Sequence, residues 1–197
     1  MGMDSSTHLD DSVGFAALDI QTVTAAGHST SRVIEGVMTQ MPAVHTDHRG
    51  RVFEIFPGAD DYWTKPVVYC YMFSVRVNQV KGWGLHLEKD DRYTLINGEI
   101  MTVLYDARLD SPTHGLVQRV YLTENGARQL TIPPGVWHAN VNIAQSESHL
   151  INHPTEVYHH EHPDRLLLPW DSEQIPADLA SLFPIQHFTG TDHHHCS

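Results

Sequence analysis

Cysteine is scarce in this sequence. Of its 197 residues only two are cysteines, Cys70 inside an apolar run and Cys196 next to the last residue. Disulfide-rich secreted domains and thiolate zinc sites need several cysteines at close spacing, so neither is indicated. A single cysteine in an apolar run usually packs as a small hydrophobic residue, and we expect Cys70 to be buried.

Basic residues and long apolar runs are also few. Lys and Arg total 12 against 24 Asp and Glu, which gives a formal net charge of -12. This balance argues against a surface for nucleic acid or an anionic membrane, so neither is expected as a partner. The longest apolar run, PVVYCYMFSV, is too short to cross a bilayer, and the opening MGMDSSTHLDDSVGF lacks the apolar centre of a signal peptide. We therefore expect a cytoplasmic protein.

The length and the hydrophobic content of 41% are those of one domain with a single core. Residues 1–33 are rich in Ser, Thr, Gly and Ala, and we interpret them as a partly ordered N-terminal extension. The packed domain is predicted to span residues 34–185, followed by a tail at residues 186–197.

Short apolar or alternating runs recur from Val52 onward, separated by Gly, Pro, Asn and Asp, which is typical of antiparallel strands. Such a series in one domain indicates an all-β sandwich, jelly roll or barrel. No run with helical periodicity precedes Ala177, so only a short helical C-terminal segment is expected. The predicted strands are RVFEIF, PVVYCYMFSVRV, RYTLI, EIMTVLYDAR, LVQRVYL, RQLTI, VWHANVNI and SHLIN.

The stretch IPPGVWHANVN places a histidine behind two prolines and a glycine. We interpret the P-P-G as a tight turn and the residues after it as a strand, with Trp137 and Asn140 on one face and His138 and Asn142 on the other. His138 would then enter a barrel near its mouth. The spacing P-x-G-x-x-H-x-x-x-N resembles the second conserved motif of the cupin superfamily, whose jelly-roll barrel holds a metal or a substrate inside.

Two further stretches identify a family by resemblance. VKGWGLHLEKDDRYTLINGEIMTVLYDARLDSPTHG resembles the central segment of dTDP-4-dehydrorhamnose 3,5-epimerases, a cupin family with R-G-L-H, a lysine, G-E/D, V-D-x-R and S-P-T-x-G in that order. Upstream, DHRGRVFEIF resembles the family's entry strand D-x-R-G-x-F-x-E, with Arg49 and Glu54 in register. The resemblance implies a cupin double-stranded β-helix (jelly-roll barrel), a homodimer and no cofactor.

The resemblance also implies a reaction. Family members abstract a proton from the carbon next to the ketone of a nucleoside-diphosphate 4-keto-6-deoxy sugar and return a proton on the other face. This chemistry needs a base with a pKa near neutrality, an electrophile for the enolate oxygen and an acid on the opposite side. His86 occupies the family's base position, and histidine has a suitable pKa. His138 occupies the position of a histidine that lines the substrate site.

The phosphate and enolate positions depart from the family pattern. Trp83 replaces the arginine that binds the phosphates, and Lys81 lies two residues earlier. The lysine that stabilises the enolate has no identical match, and the nearest cations are Arg92 and Lys89. We predict Arg92 for this role, because a permanently charged guanidinium can hold an enolate oxygen.

The acid position departs as well. The family's tyrosine acid aligns with Asn152, and asparagine cannot donate a proton at neutral pH. We predict Tyr158 as the acid, with Tyr93 as a second candidate. The aspartate that partners the family's base has no clear counterpart near the C-terminus. The substrate-binding residues predicted in all are Arg49, Glu54, Lys81, Trp83, His138, Asn140 and Asn152.

Two other functions stay open. His86, Glu88 and His138 would form a two-histidine, one-carboxylate site suited to Fe(II) or Mn(II), as in a metal-dependent cupin. Alternatively, the chain keeps the barrel as a non-catalytic sugar- or nucleotide-binding module. Asp106 and Arg108 are interpreted as an ion pair at a strand end, with Ser111 to Gly115 as a turn.

Overall fold

The computed structural model of the chain describes residues 14–56, 58 and 62–179. The chain divides into two units, Met1–Arg32 and Val33–Ser197. In the first unit the described residues contain one isolated bridge between Val23 and Ser29. No helix in the described residues is long and apolar enough to cross a membrane.

The second unit consists of short strands, and no α-helix occurs among the described residues. The helix expected from Ala177 onward is absent at residues 177–179, and the rest of that segment lies outside the described residues. The strands are β1 (Met38–Gln40), β2 (Val44–Asp47), β3 (Gly50–Phe53), β4 (Tyr71–Val75), β5 (Val80–Leu85), β6 (Asp91–Asn97), β7 (Glu99–Asp106), β8 (Val117–Thr123), β9 (Gln129–Ile132), β10 (Val136–Asn142), β11 (Ser148–Asn152) and β12 (Leu166–Leu167).

Two five-stranded antiparallel sheets face each other. The first sheet has the order β1-β9-β6-β11-β4 and the second β12-β5-β10-β7-β8, while β2 and β3 form a separate hairpin. Apolar side chains from both sheets, such as Leu95 and Leu150 from the first and Leu104 and Val136 from the second, form one buried core between them. The all-β jelly-roll prediction is confirmed.

Side-chain alternation along β10 corrects one interpretation. His138 and Asn140 are separated by two residues, so they share the face that points between the sheets. Trp137, Ala139 and Val141 point to the outer face of the second sheet, where they join a second core. The pairing of Trp137 with Asn140 on one face is therefore wrong, because odd separations in a strand alternate faces.

The second core lies on the outer face of the second sheet. Trp83 of β5 is fully buried there and donates its indole N–H to the carbonyl of Trp170 at 3.1 Å. Ile175 and Leu179 belong to the same cluster. The segment after β12 thus covers this face of the sheet.

The end of β7 carries the predicted ion pair. Nε of Arg108 donates to Asp106 at 2.8 Å, and the hydroxyls of Ser111 and Thr113 each donate to the same carboxylate at 2.6 Å. Burial raises the pKa of Asp106, but the hydrogen bonds from Arg108 and Ser111 outweigh it and lower the pKa below its usual range. The structural interpretation of this motif is confirmed.

Cys70 is exposed, which corrects the expectation that it is buried. The apolar run that contains it begins before the strand, since β4 starts only at Tyr71. Residues 66–70 have no regular structure. A strand in a sheet buries alternate side chains on its inner face, but a segment outside a sheet has no such face.

Candidate active site

A cavity of about 360 Å³ lies between the two sheets, and we call it the central cavity. Its volume is in the range of small-molecule sites. The first sheet contributes Tyr71, Asp91 and Tyr93 to its wall, and the second contributes Lys81, Gly84, His138 and Asn140. Segments outside the strands add His86, Lys89, Tyr158 and Arg165.

His86 follows β5 directly and is fixed on both sides of its ring. Its main-chain carbonyl accepts a hydrogen bond from the N–H of Gly135 at 2.8 Å. Its Nδ1 is hydrogen-bonded to the backbone carbonyl of Asp164, and its Nε2 lies 3.3 Å from Oδ2 of Asp91. His86 is 8% exposed and lines the central cavity.

His138 approaches the same carboxylate from β10. Its Nε2 lies 3.4 Å from Oδ2 of Asp91, and its Nδ1 lies 3.3 Å from the carbonyl of Val136. The ring fits because position 84 is a glycine, where an added Cβ would lie 3.2 Å from Nε2 of His138. Burial lowers the pKa of His138, against the opposing charge of Asp91.

The two hydrogen bonds at Nδ1 decide which ring nitrogens carry protons. A carbonyl oxygen only accepts, so each histidine must donate from Nδ1. A neutral imidazole then has its lone pair at Nε2, and in both rings this atom faces the central cavity and Asp91. A proton gained at Nε2 of His86 would be held by the carboxylate.

Asp91 is the centre of the polar network. Tyr93 donates its hydroxyl proton to Oδ2 at 3.0 Å, and Asn152 donates to Oδ1 at 2.8 Å. Burial raises the pKa of Asp91. The hydrogen bond that His86 donates from Nε2 when its ring is protonated, and the positive charge of protonated His138, outweigh burial and lower the pKa below its usual range. The group is therefore a carboxylate at neutral pH.

Asn152 lies behind the wall of the central cavity and links two other side chains. It is fully buried, and its Oδ1 accepts the backbone N–H of Arg92 at 2.9 Å. Its Nδ2 donates to Asp91 and to the hydroxyl oxygen of Tyr71, the latter at 2.9 Å. Burial, followed by the charge of Asp91, raises the pKa of Tyr71 to about 12.

Three cationic side chains line the central cavity. Lys89 is 5% exposed, and its Nζ lies 5.5 Å from the ring centroid of Tyr158. Lys81 and Arg165 are exposed. These groups bring positive charge to the cavity of a chain that is acidic as a whole.

The placement of Arg92 corrects the sequence prediction. Asp91 and Tyr93 point into the cavity, so Arg92 between them points to the opposite face of β6. Its guanidinium donates to the carbonyls of His153 at 2.6 Å, Lys65 at 2.7 Å and Pro66 at 2.9 Å. Arg92 is therefore a structural residue away from the cavity, and Lys89 is the buried one of the three cations that line it.

Besides Arg92 and Asn152, four predicted residues lie outside the central cavity. Trp83 is in the outer core described above, because it points to the other face of β5. Glu88 is exposed and borders a separate pocket, so it does not join the two histidines. Arg49 and Glu54 belong to the β2–β3 hairpin and its exit, where both are exposed.

Asp91, rather than Glu88, completes the group that is able to hold a metal ion. Ligand atoms of His86, Asp91 and His138 all lie within 4.8 Å of one another. Two imidazoles and a carboxylate suit Fe(II) or Mn(II). The donor set therefore fits the metal-dependent alternative, with Asp91 in the place of Glu88.

Sequence reasoning missed Asp91, Tyr71 and Asp164. The carboxylate of Asp164 accepts the backbone N–H groups of Leu87 at 2.8 Å and Glu88 at 3.1 Å, which holds the turn after His86. A local signal existed only for Asp91, since strand alternation places it on the same face as Tyr93, the second candidate for the acid. The other two reach the site from distant parts of the chain.

Comparison with known proteins shows similarity to one family and one fold. The profile of the dTDP-4-dehydrorhamnose 3,5-epimerase family matches residues 31–195. The probable low-salt glycan biosynthesis epimerase Agl13 of Haloferax volcanii is 34% identical over 137 residues, 68% of this chain and 87% of the relative. The dTDP-4-dehydrorhamnose 3,5-epimerase of Methanothermobacter thermautotrophicus is 30% identical over 152 residues, 74% and 80% of the two chains. A solved dTDP sugar isomerase from Desulfovibrio desulfuricans G20 has a TM-score of 0.70 at 25% identity and covers 75% of this chain and 92% of its own.

Proposed function

Because the chain belongs to the dTDP-4-dehydrorhamnose 3,5-epimerase family, as its motifs predicted, we propose that it epimerises a nucleoside-diphosphate 4-keto-6-deoxy sugar by proton abstraction. His86 is the base. Its Nε2 removes the proton from the carbon beside the ketone, and the electron pair of that C–H bond moves into an enolate. Asp91, 3.3 Å from Nε2, stabilises the imidazolium that forms.

The observation that carries this proposal is the double anchoring of His86. Its Nδ1 is committed to a backbone carbonyl, which leaves Nε2 as the atom that takes up a proton. That atom lies in a cavity large enough for a sugar and opposite a carboxylate that remains charged at neutral pH. This arrangement is the one that a general base needs.

Lys89 is the electrophile in this proposal, because it is the buried cation of the central cavity. Its ammonium would stabilise the negative charge that develops on the enolate oxygen. Lys81 and Arg165, which are exposed, would bind the diphosphate of the substrate.

The test is solvent exchange. The protein in D₂O with dTDP-4-keto-6-deoxyglucose should incorporate deuterium at the carbon beside the ketone, measured by mass spectrometry and NMR. His86→Asn should lower the exchange rate about 100-fold or more while nucleotide-sugar affinity is kept. His114→Asn, an exposed histidine in a turn, is the matched control. Exchange at the normal rate in His86→Asn would refute the role of His86, and binding without any exchange in the unmodified protein would favour a non-catalytic sugar-binding module.

We also propose a homodimer. Family members share residues across the dimer interface, and Arg49 and Glu54 lie on an exposed hairpin outside the central cavity. A role for these two residues in substrate binding therefore requires a partner subunit. In such a dimer, Arg49 and Glu54 would bind the substrate in the cavity of the partner subunit.

A metal-dependent cupin reaction is the second candidate, favoured by the cluster of His86, Asp91 and His138. Here Nε2 of each histidine would bind the ion, which would supply Lewis-acid chemistry. Metal analysis of protein purified without a histidine tag separates the two candidates, since a stoichiometric metal would occupy the atom that the base needs.

A further inference from the structure

We propose that Tyr71, held by Asn152, is the acid that returns a proton to the enolate on the face opposite His86. This assignment rests on the proposed proton abstraction by His86. It replaces Tyr158, which the sequence alone suggested, and it places the acid on β4.

The register of the first sheet supports this position. By the motif resemblance, Asn152 stands at the position of the family's tyrosine acid. β11 pairs with β4 so that Asn152 lies directly opposite Tyr71. On the other side, Asn152 lies opposite Tyr93 of β6. The two strands beside Asn152, β4 and β6, thus each carry a tyrosine next to the position of the family's acid.

Hydrogen bonding separates these two phenols. The proton of Tyr93 is committed to Asp91, and its side chain is 4% exposed in the core. Tyr71 accepts a hydrogen bond from Asn152, and its own hydroxyl proton has no acceptor within the described part of the chain. Tyr71 is also 38% exposed and lines the central cavity, so this proton is available to a ligand.

The orientation of the Asn152 amide is fixed by its other contacts. Its oxygen accepts the backbone N–H of Arg92, and one amide N–H is donated to Asp91. The remaining N–H must therefore point at Tyr71. A hydrogen bond donated to the phenol oxygen becomes stronger when that oxygen turns negative, so Asn152 stabilises the phenolate left after proton transfer.

Base and acid come from opposite walls. His86 follows β5 of the second sheet, whereas Tyr71 is on β4 of the first sheet, and both line the central cavity. A sugar ring between the sheets would therefore present one face to each. Tyr158, by contrast, lies in an irregular segment beside Lys89, on the same side as the β5–β6 loop that carries His86.

The proton balance is closed. In the first step the C–H bond breaks, Nε2 of His86 gains the proton and the carbonyl becomes an enolate. In the second step the enolate carbon takes the proton of the Tyr71 hydroxyl, a new C–H bond forms on the other face, and the ketone is restored. Water then carries one proton from the imidazolium to the phenolate. A pKa of about 12 keeps the Tyr71 phenol protonated at neutral pH before the reaction.

The experiment compares Tyr71→Phe with Tyr158→Phe and with Tyr121→Phe, an exposed control on β8. Each variant is incubated with dTDP-4-keto-6-deoxyglucose in D₂O, and both deuterium content and product configuration are measured. Tyr71→Phe should still incorporate deuterium at close to the normal rate, because His86 returns it to the face from which it came. Formation of the epimer should fall about 100-fold or more.

Three outcomes overturn the assignment. The first is epimer formation by Tyr71→Phe within about threefold of normal, since the loss of an acid has a much larger effect. The second is loss of both deuterium exchange and inversion in a folded Tyr71→Phe protein. The third is exchange without inversion in Tyr158→Phe instead of Tyr71→Phe. If the unmodified protein shows no deuterium exchange, the proposed epimerase function fails. If only the results for the tyrosine variants differ from those expected, the role of Tyr71 alone fails. The Phe ring keeps the contacts with Tyr69 and Phe73, whose centroids lie 5.9 and 6.5 Å away.

A second variant retains the hydroxyl. Fluorotyrosine at position 71 has a lower phenol pKa and almost the same shape. The alkaline limit of epimer formation should move to lower pH, while deuterium incorporation keeps its pH profile. An unchanged alkaline limit would contradict the role of Tyr71.

Discussion

Nε2 of His86 lies 3.3 Å from Oδ2 of Asp91, although the two residues belong to opposite walls of the barrel. His86 directly follows β5 of the second sheet, and Asp91 begins β6 of the first. The loop between them crosses from one sheet to the other, so a base and its carboxylate come together where the sheets meet.

Asp91→Asn keeps the size of the side chain and removes its charge. Because the amide cannot stabilise the imidazolium of His86, we expect kcat for epimerisation to fall about 100-fold or more, with a smaller change in KM. Steady-state kinetics and deuterium exchange measure both. Asp90→Asn is the matched control, since Asp90 pairs with Lys65 at 2.8 Å outside the cavity. Equal kinetics for the two variants would contradict the role of Asp91.

Arg92 and Lys89 should have opposite phenotypes. Arg92→Lys loses hydrogen bonds to buried carbonyls, so we expect the free energy of unfolding to fall by about 2 kcal/mol, with kcat close to normal. Lys89→Met removes a cavity cation, so we expect a loss of kcat with little change in thermal stability. Denaturant unfolding and kinetics measure these effects, with Arg119→Lys as the control, because Arg119 is an exposed residue of β8. A low kcat in folded Arg92→Lys would restore the sequence-based assignment.

The acid dependence of stability should depend on Asp106. The pKa of this carboxyl is lowered in the fold from its ordinary value of 3.8, so its contribution to stability is present above that value and is lost as the pH falls below it. Asp106→Asn should cost about 3 kcal/mol at neutral pH and give a flatter decline of Tm toward low pH. Asp110→Asn, which is exposed, should keep the steep decline. Parallel profiles for the two variants would contradict this account.

Mixed dimers test whether Arg49 of the β2–β3 hairpin acts in the cavity of the partner subunit. If Arg49 acts in the partner's cavity, neither Arg49→Ala nor His86→Asn alone is active, but mixing and re-associating the two variants restores one complete site per dimer. Light scattering should show a dimer, and the mixture should regain up to about a quarter of normal activity for random association. A monomer in solution, or no recovery in a mixture that has exchanged subunits, would remove Arg49 and Glu54 from the site.

Divalent ions should inhibit the reaction if His86 is the base. A metal bound to Nε2 of His86 and His138 removes the lone pair that takes the proton. We expect Mn²⁺ or Zn²⁺ to lower the deuterium exchange rate and EDTA to restore it. Activation by either ion, with loss of activity in EDTA, would favour the metal-dependent candidate.

The strands show where local sequence patterns succeed and fail. All eight predicted runs contain a strand, with boundaries that differ by a few residues. β5 was missed, although it leads to His86, because Gly82 and Gly84 interrupt its pattern. Both glycines allow β10 to come close: at Gly82, with φ of +145°, an added Cβ would lie 2.6 Å from Cα of Ala139. A close approach between strands is not visible in either strand alone.

By itself, the sequence determined the family, the jelly-roll fold and the presence of His86 and His138 in one cavity, because these depend on motif spacing and strand periodicity. Tertiary structure alone decided what surrounds them. Strand alternation turned Arg92 away from the cavity, and the pairing of β4 with β11 brought Tyr71 to Asn152 across 81 positions of sequence. Hydrogen-bond partners between distant strands depend on register and sheet order, which no local pattern of residues encodes.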